Sequence, residues 1–235
     1  MRTWIILAAV FAVTAVYSVL VILHMVLWRN HDVFYVYARS WSKLLLKLCR
    51  IQVHTVGIHN LSGTGRYIYV ANHASLFDIP VILVAVPDNI RIMYKHELER
   101  IPIFGWCLKI SPFIAINRNR GKQASDVLDT VAETLGTGTS VLVFPEGTRS
   151  EDGSVGPFRR GAFSLAVRSK RALVPLAITG TAKILPKGAS SISGGRVTVV
   201  IGSQISTETT YSREQEKELM ATVRDIICVA VDSHL

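Results

Sequence analysis

From Thr3 to Trp28 the chain runs for 26 residues without a formal charge, built almost wholly from Ile, Leu, Val, Ala and aromatic residues. About 20 apolar residues in a helix suffice to cross the hydrocarbon core of a bilayer, so this segment belongs in lipid. Trp4 and Trp28 stand at its ends and Arg2 and Arg29 bracket it, as interfacial residues do. His24, its one ionisable interruption, is expected at the interface. The run greatly exceeds the apolar core of a cleaved signal peptide, which is about 7–15 residues long.

The next segment, Phe34 to Leu48, has a different pattern. At about 100° per residue, Arg39, Lys43, Lys47 and Arg50 gather on one side, and Phe34, Tyr37, Trp41, Leu44, Leu45 and Leu48 on the other. Such a basic amphipathic helix either lies in the headgroup plane or packs on the domain with a solvated basic face. Basic residues after the apolar run outnumber those before it, which places the rest of the chain on the cytoplasmic side of the cell membrane if the run spans. A hairpin entering one leaflet fits the same pattern. Residues 1–50 are therefore expected to form the anchor and residues 51–235 one α/β domain.

The net charge of +9 favours anionic partners. No zinc-finger spacing, helix-turn-helix signature or aromatic-interleaved basic repeat is present, which argues against nucleic acid and for lipid or phosphorylated substrates. Cys49, Cys107 and Cys228 are widely separated, so no disulfide framework or zinc ribbon is expected.

Beyond residue 50, short β-branched runs alternate with helical patterns, the mark of an α/β fold with a mixed open sheet flanked by helices. Strands are expected at Ile51 to Val56, Tyr67 to Ala71, Ile90 to Tyr94, Phe113 to Ile116, Ser140 to Phe144, Leu173 to Ile178 and Val197 to Ile201. Helices are expected at Pro80 to Val86, Lys122 to Leu135, Arg160 to Ser169 and Arg213 to Val231. Polar clusters follow four of the strands: Asn72-His73, Lys95, Asn117-Arg118 and Pro145-Glu146. Ligand sites in open α/β sheets lie at the carboxyl ends of strands, so these clusters are expected to converge.

His73 and Asp78 supply a base and a carboxylate to orient it, provided a turn separates them, since positions five apart on one helix diverge. Asp78 reads as a helix N-cap with Pro80 in the first turn. The pair by itself is weak, because His-x-x-x-x-Asp arises readily by chance. Ser75 offers a rival nucleophile but lacks the Gly-x-Ser-x-Gly elbow, and no second ligand stands at metal-binding spacing around His73. In Phe144-Pro145-Glu146-Gly147-Thr148-Arg149, proline stops a strand, glycine allows a sharp turn and Arg149 can fork onto a phosphate.

The ordered blocks Asn72-His73-x-x-x-x-Asp78, Ile114 to Arg118, Phe144 to Ser150 and Leu173 to Ile178 resemble those of the glycerolipid acyltransferases. Short length and the amino-terminal apolar segment look most like the bacterial 1-acyl-sn-glycerol-3-phosphate acyltransferases of that family. Asn117 stands where Asp is common and Ala177 where a second proline is common.

The resemblance implies transfer of a fatty acyl group from acyl-CoA or acyl carrier protein to the 2-hydroxyl of lysophosphatidic acid, without a cofactor or metal. It places His73 and Asp78 as the catalytic pair and Asn72, Lys95, Arg118, Glu146, Gly147, Thr148 and Arg149 in the substrate site, with Asn72 positioning the histidine loop. Backbone N–H groups near His73 or Gly147 are candidates for the oxyanion, and Arg159 and Arg160 for a basic rim facing the donor. The alternatives are transfer to glycerol 3-phosphate or another lysolipid, a lipid hydrolase, and a non-catalytic membrane-binding scaffold.

Overall fold

A computed structural model describes residues 2–28, 32–62, 66–116, 139–208 and 211–234. In chain order its elements are α1 (Arg2–Trp28), α2 (Asp32–Leu48), β1 (Ile51–Val56), β2 (Ile68–Ala71), α3 (Asp78–Ala85), β3 (Ile90–Lys95), α4 (Phe104–Ile110), β4 (Ile114–Ile116), β5 (Ser140–Val143), α5 (Gly161–Ser169), β6 (Leu173–Thr179), α6 (Thr181–Ile184), β7 (Gly195–Ile201) and α7 (Arg213–Asp232). All seven expected strands are present within a residue or two. The helix expected at Lys122 to Leu135 lies outside the described residues, as do Asn117 and Arg118. The short helices α4 and α6 were not foreseen.

The sheet order is β1-β7-β6-β2-β5-β3-β4. Every pairing is parallel except β6 with β7, so the sheet is mixed and open. Side chains alternate across a strand, and β2, buried throughout, feeds both layers. Tyr69 and Ala71 pack with Val81, Ile82 and Leu46 from α3 and α2, while Ile68 and Val70 pack with Phe163, Leu165 and Val223 from α5 and α7.

Helix α1 runs antiparallel to α2: the Trp41 indole donates to Thr14 Oγ1 at 3.2 Å, and the Tyr17 and Ser40 hydroxyls lie 2.9 Å apart. Its outer face exposes Trp4, Phe11, Leu23, Val26 and Trp28, a surface suited to lipid. Helix α2 takes the packed alternative. Its Phe34, Tyr35, Ser42, Leu45 and Leu46 are buried, Leu45, Leu46 and Cys49 join the same core as Tyr69, and Arg39 donates to the Asp88 carbonyl. Lys43, Lys47 and Arg50 stay in solvent.

Candidate active site

The pairing of β2 with β5 sets the geometry. Val70 is the register partner of Val143, so the residues three further along each strand, His73 and Glu146, emerge side by side. The His73 backbone N–H donates to Glu146 Oε1 at 2.8 Å. On the other flank the Asn72 side chain acts as one more strand residue for β6, donating to the Ile178 carbonyl at 2.9 Å and accepting from its N–H at 2.8 Å. Both polar atoms of Asn72 are thus spent on backbone, and the residue is buried. This fits a positioning role.

After Ala71 the chain turns, with the Asp78 N–H donating to the Ser75 carbonyl at 3.3 Å, and enters α3. The turn folds Asp78 back onto His73, whose Nδ1 lies 2.7 Å from Asp78 Oδ2. The same oxygen accepts from the Ala74 and Ser75 N–H groups at 2.8 and 2.9 Å. Asp78 is the first residue of α3 and Phe77 holds the N-cap position, so the carboxylate organises the turn upstream of the helix rather than capping the helix itself. Pro80 sits in the first turn as expected.

An acceptor surrounded by N–H donors fixes the imidazole as the Nδ1–H tautomer, which leaves Nε2 as the basic atom. The His73 side chain keeps 18% of its surface exposed whereas Asp78 has none. Its ring stacks on Phe144 at 4.1 Å and 18°. Ser75 is no nucleophile here: it is fully buried and its hydroxyl donates to the Leu185 carbonyl at 2.9 Å.

The segment Pro145 to Arg159 forms a closed loop. Gly147 takes φ +72°, a left-handed conformation open to glycine, and its N–H donates to the Phe144 carbonyl at 3.1 Å. Glu146 Oε2 accepts from the Gly156 N–H at 3.1 Å, and the Arg159 N–H donates to the Pro145 carbonyl at 2.9 Å. Burial raises the Glu146 carboxyl above the ordinary carboxylate range, against the lowering effect of the two backbone donors from His73 and Gly156.

Beside this loop lies a polar cavity of about 440 Å³ whose lining includes the guanidiniums of Arg149 and Arg159, the carboxylates of Glu146, Glu151 and Asp152, and Thr148. Arg149 forms no ion pair among the described residues. Arg159, read from the sequence as a rim residue, packs its guanidinium against Gly147 and joins Arg149 there. Lys95 ends β3, whose Ile92 pairs with Leu142 of β5, so it shares the carboxyl end of the sheet but does not line this cavity.

Between α1, α2 and the start of α3 the interior is apolar. One cavity, about 420 Å³, is walled by α1, α2, Leu76, Phe77 and Pro80; a second, about 350 Å³, shares Thr14, Trp41, Leu76, Pro80 and Phe104 with it and continues to Val21, Cys107 and Phe113. The expected oxyanion donors are already engaged: the N–H groups of His73, Ala74, Ser75 and Gly147 all bond within the protein. Among the described residues no group of three or more His, Cys, Asp or Glu side chains is arranged to hold a metal ion.

A histidine oriented by a buried carboxylate thus stands at the carboxyl end of the parallel strands, beside the loop that carries Arg149 and Arg159. Residues 50–179 match the model of the acyltransferase family, and the chain belongs to that family. It is 34% identical over 171 residues to a chloroplast 1-acyl-sn-glycerol-3-phosphate acyltransferase of Arabidopsis thaliana, covering 72% of this chain and 47% of that protein. It is 30% identical to the 1-acyl-sn-glycerol-3-phosphate acyltransferase of Saccharomyces cerevisiae, covering 84% and 65%. The chain thus spans about half the length of the chloroplast relative. The crystal structure of the 1-acyl-sn-glycerophosphate acyltransferase PlsC from Thermotoga maritima superposes with a TM-score of 0.83 at 27% identity, covering 99% of this chain and 97% of that one.

Proposed function

We propose that the protein transfers a fatty acyl group from a thioester, acyl-CoA or acyl carrier protein, to the 2-hydroxyl of 1-acyl-sn-glycerol 3-phosphate, giving phosphatidic acid for phospholipid synthesis. The observation that carries this reading is the His73–Asp78 pair, 2.7 Å apart, in which a fully buried carboxylate orients a part-exposed imidazole. The lipid brings the nucleophile, so no protein serine or cysteine is needed.

Nε2 of His73 takes the hydroxyl proton as the oxygen attacks the thioester carbonyl, and the buried Asp78 carboxylate stabilises the imidazolium that forms. Collapse of the tetrahedral intermediate breaks the carbon–sulfur bond, and the imidazolium returns its proton to the departing thiolate. Arg149 and Arg159 hold the phosphate, with Thr148 beside them, and Lys95 and Arg118 supply further positive charge toward the acceptor. Apolar side chains next to Leu76 receive acyl chain. No cofactor enters this chemistry. Residues 1–50 anchor the domain to the cytoplasmic membrane, with the active site on the cytoplasmic side.

The test is incubation of the purified protein with labelled acyl thioesters and a panel of acceptors, with products identified by mass. Phosphatidic acid formed only when both acyl thioester and lysophosphatidic acid are present supports the reading. Transfer to glycerol 3-phosphate or a non-phosphate lysolipid instead reassigns the acceptor. Free fatty acid without an acceptor defines a hydrolase, and no thiol release with any acceptor leaves a membrane-binding scaffold.

A further inference from the structure

Helix α7 lies wholly beyond the family match, which ends at residue 179, yet it is rigidly placed. A capping box joins Ser212 and Gln215 at its start. Leu219, Val223, Ile227 and Val231, one every fourth residue, are buried against the sheet. Glu216 accepts from Arg160 Nε at 2.6 Å and from the Ser164 hydroxyl at 2.9 Å, tying the helix to α5. Arg224, next to buried Val223, points from this fixed platform toward the loop after β5.

Its guanidinium forks onto two consecutive carbonyls: Nη2 donates to Val155 O at 2.9 Å and Nε to Gly156 O at 3.0 Å. The Val155 carbonyl and the Gly156 N–H belong to one peptide group, and that N–H donates to Glu146 Oε2. The other oxygen of Glu146 receives the His73 N–H. A single run of hydrogen bonds therefore leads from α7 through one peptide and one carboxylate to the backbone of the histidine.

We propose that Arg224 is a positioning residue for acyl transfer, fixing the 155–156 peptide so that Glu146 holds the His73 loop in its reactive geometry. Two physical effects support it. A fork onto the carbonyls on both sides of the Gly156 Cα fixes the orientation of two successive peptides, which a single donor does not. A cation on the carbonyl polarises the peptide and strengthens its N–H as a donor to the carboxylate. That donor is one of the two that oppose the burial-driven rise in the Glu146 pKa, so losing Arg224 raises the pH at which Glu146 takes a proton and can no longer accept both N–H groups. The inference rests on the acyltransferase reading.

The test compares wild type with Arg224→Met, Arg224→Lys, Glu146→Gln and the double variant Arg224→Met/Glu146→Gln, with Lys217→Ala, exposed on the same helix, as control. Arg224→Met is expected to lower kcat by about tenfold to a hundredfold, the scale of an ångström-level misplacement, with KM for the lysolipid within about twofold. The acid limb of its pH profile is expected to move to higher pH, and the double variant to lose little beyond Glu146→Gln alone. Arg224→Lys keeps the charge but not the fork, is expected to share the loss of kcat with a smaller shift of the acid limb, and decides the matter through kcat if the Met variant does not fold. An unshifted pH profile, wild-type kcat, or additive losses in the double variant overturn the proposal.

Amide exchange at His73 and Gly156 reads the same chain of bonds without substrate: faster exchange in the Arg224 variants supports it and unchanged exchange overturns it. A wild-type protein with no transferase activity sinks the functional reading, while the exchange result still decides the structural link.

Discussion

Glu146 Oε1 accepts the His73 backbone N–H at 2.8 Å while its partner oxygen Oε2 accepts the Gly156 N–H at 3.1 Å. One carboxylate thus spans two loops that enter the site from neighbouring strands. In this position it contacts the protein on both oxygens, so its place in the motif reflects organisation of the histidine at least as much as contact with a ligand. The arrangement also explains why a buried acid is tolerated: each oxygen has a donor, which offsets part of the cost of desolvation.

Glutamine does not reproduce this. It has one acceptor oxygen, so its NH2 group must face one of the two N–H donors. Glu146→Gln is expected to cost about 1–3 kcal/mol of stability from the unpaired donor and to reduce turnover by disturbing His73. The pH dependence has a definite sign. Burial raises the folded-state pKa of Glu146, so its contribution to stability is fully present below the unfolded-state pKa and is lost as pH rises through the folded one. Denaturant titrations across that window should show the wild type losing stability relative to Glu146→Gln as pH increases. Turnover by the wild type should move the opposite way, rising as Glu146 ionises and can accept both N–H groups.

Gly156 is required for space. A Cβ there would come within 2.9 Å of Glu146 Oε2, closer than the carboxylate tolerates without moving. Gly156→Ala should therefore displace Glu146, with a stability loss of about 1–3 kcal/mol typical of overpacking and a larger proportional loss of turnover. Parallel melts and rate measurements check this; unchanged turnover would show that Glu146 has freedom to shift.

Much of this was legible in the sequence. Short β-branched and aromatic runs located all seven strands, and the polar residues just past Ala71, Tyr94 and Phe144 fell at one end of the sheet because parallel strands put their carboxyl ends together. The pairing order was not legible: nothing local states that β2 lies between β5 and β6, and it is this neighbourhood that makes Asn72 a surrogate strand residue and Glu146 a brace for His73. Asp78 read as an N-cap because Asp is a good cap, but the demand of three donors upstream drew it into the turn. Arg224 was hidden for the same reason, since its carbonyl partners in the loop after β5 are reached only through tertiary folding.

The His73–Asp78 pair gives the sharpest kinetic expectation. His73→Ala should lower kcat by about 10²–10⁴-fold, the usual contribution of a general base, while the protein stays folded and membrane-associated. Asp78→Asn should cause a comparable loss, because an amide facing the Ala74 and Ser75 N–H groups either opposes a donor to them or mis-sets the imidazole tautomer. Near-normal turnover by His73→Ala would remove it as the base.

Arg149 should act on acceptor choice. It lines the polar cavity without an ion pair among the described residues, so its charge is available to a phosphate. Arg149→Ala should raise KM for phosphorylated acceptors by roughly 10–100-fold, equivalent to about 1.5–3 kcal/mol for a charge-assisted hydrogen bond. Acceptor profiling checks this: an unchanged preference between phosphorylated and neutral lysolipids would reject the assignment.

The two apolar cavities share five side chains, among them Leu76, three residues from His73, so on the proposed function an acyl chain with its carbonyl at His73 is expected to enter them and extend toward Cys107. Cys107 is buried at 7% exposure, packs with Val21, Met25, Phe34 and Tyr35, and lines the second cavity but not the first. Cys107→Phe adds bulk there without touching the His73 loop. Shorter acyl thioesters should then be used about as well as by the wild type, while long ones lose kcat/KM, each excluded methylene costing about 0.8 kcal/mol of burial or roughly fourfold. Competition between mixed-length thioesters, read by product mass, measures the shift. An unaltered chain-length profile in a folded variant would place the acyl chain elsewhere.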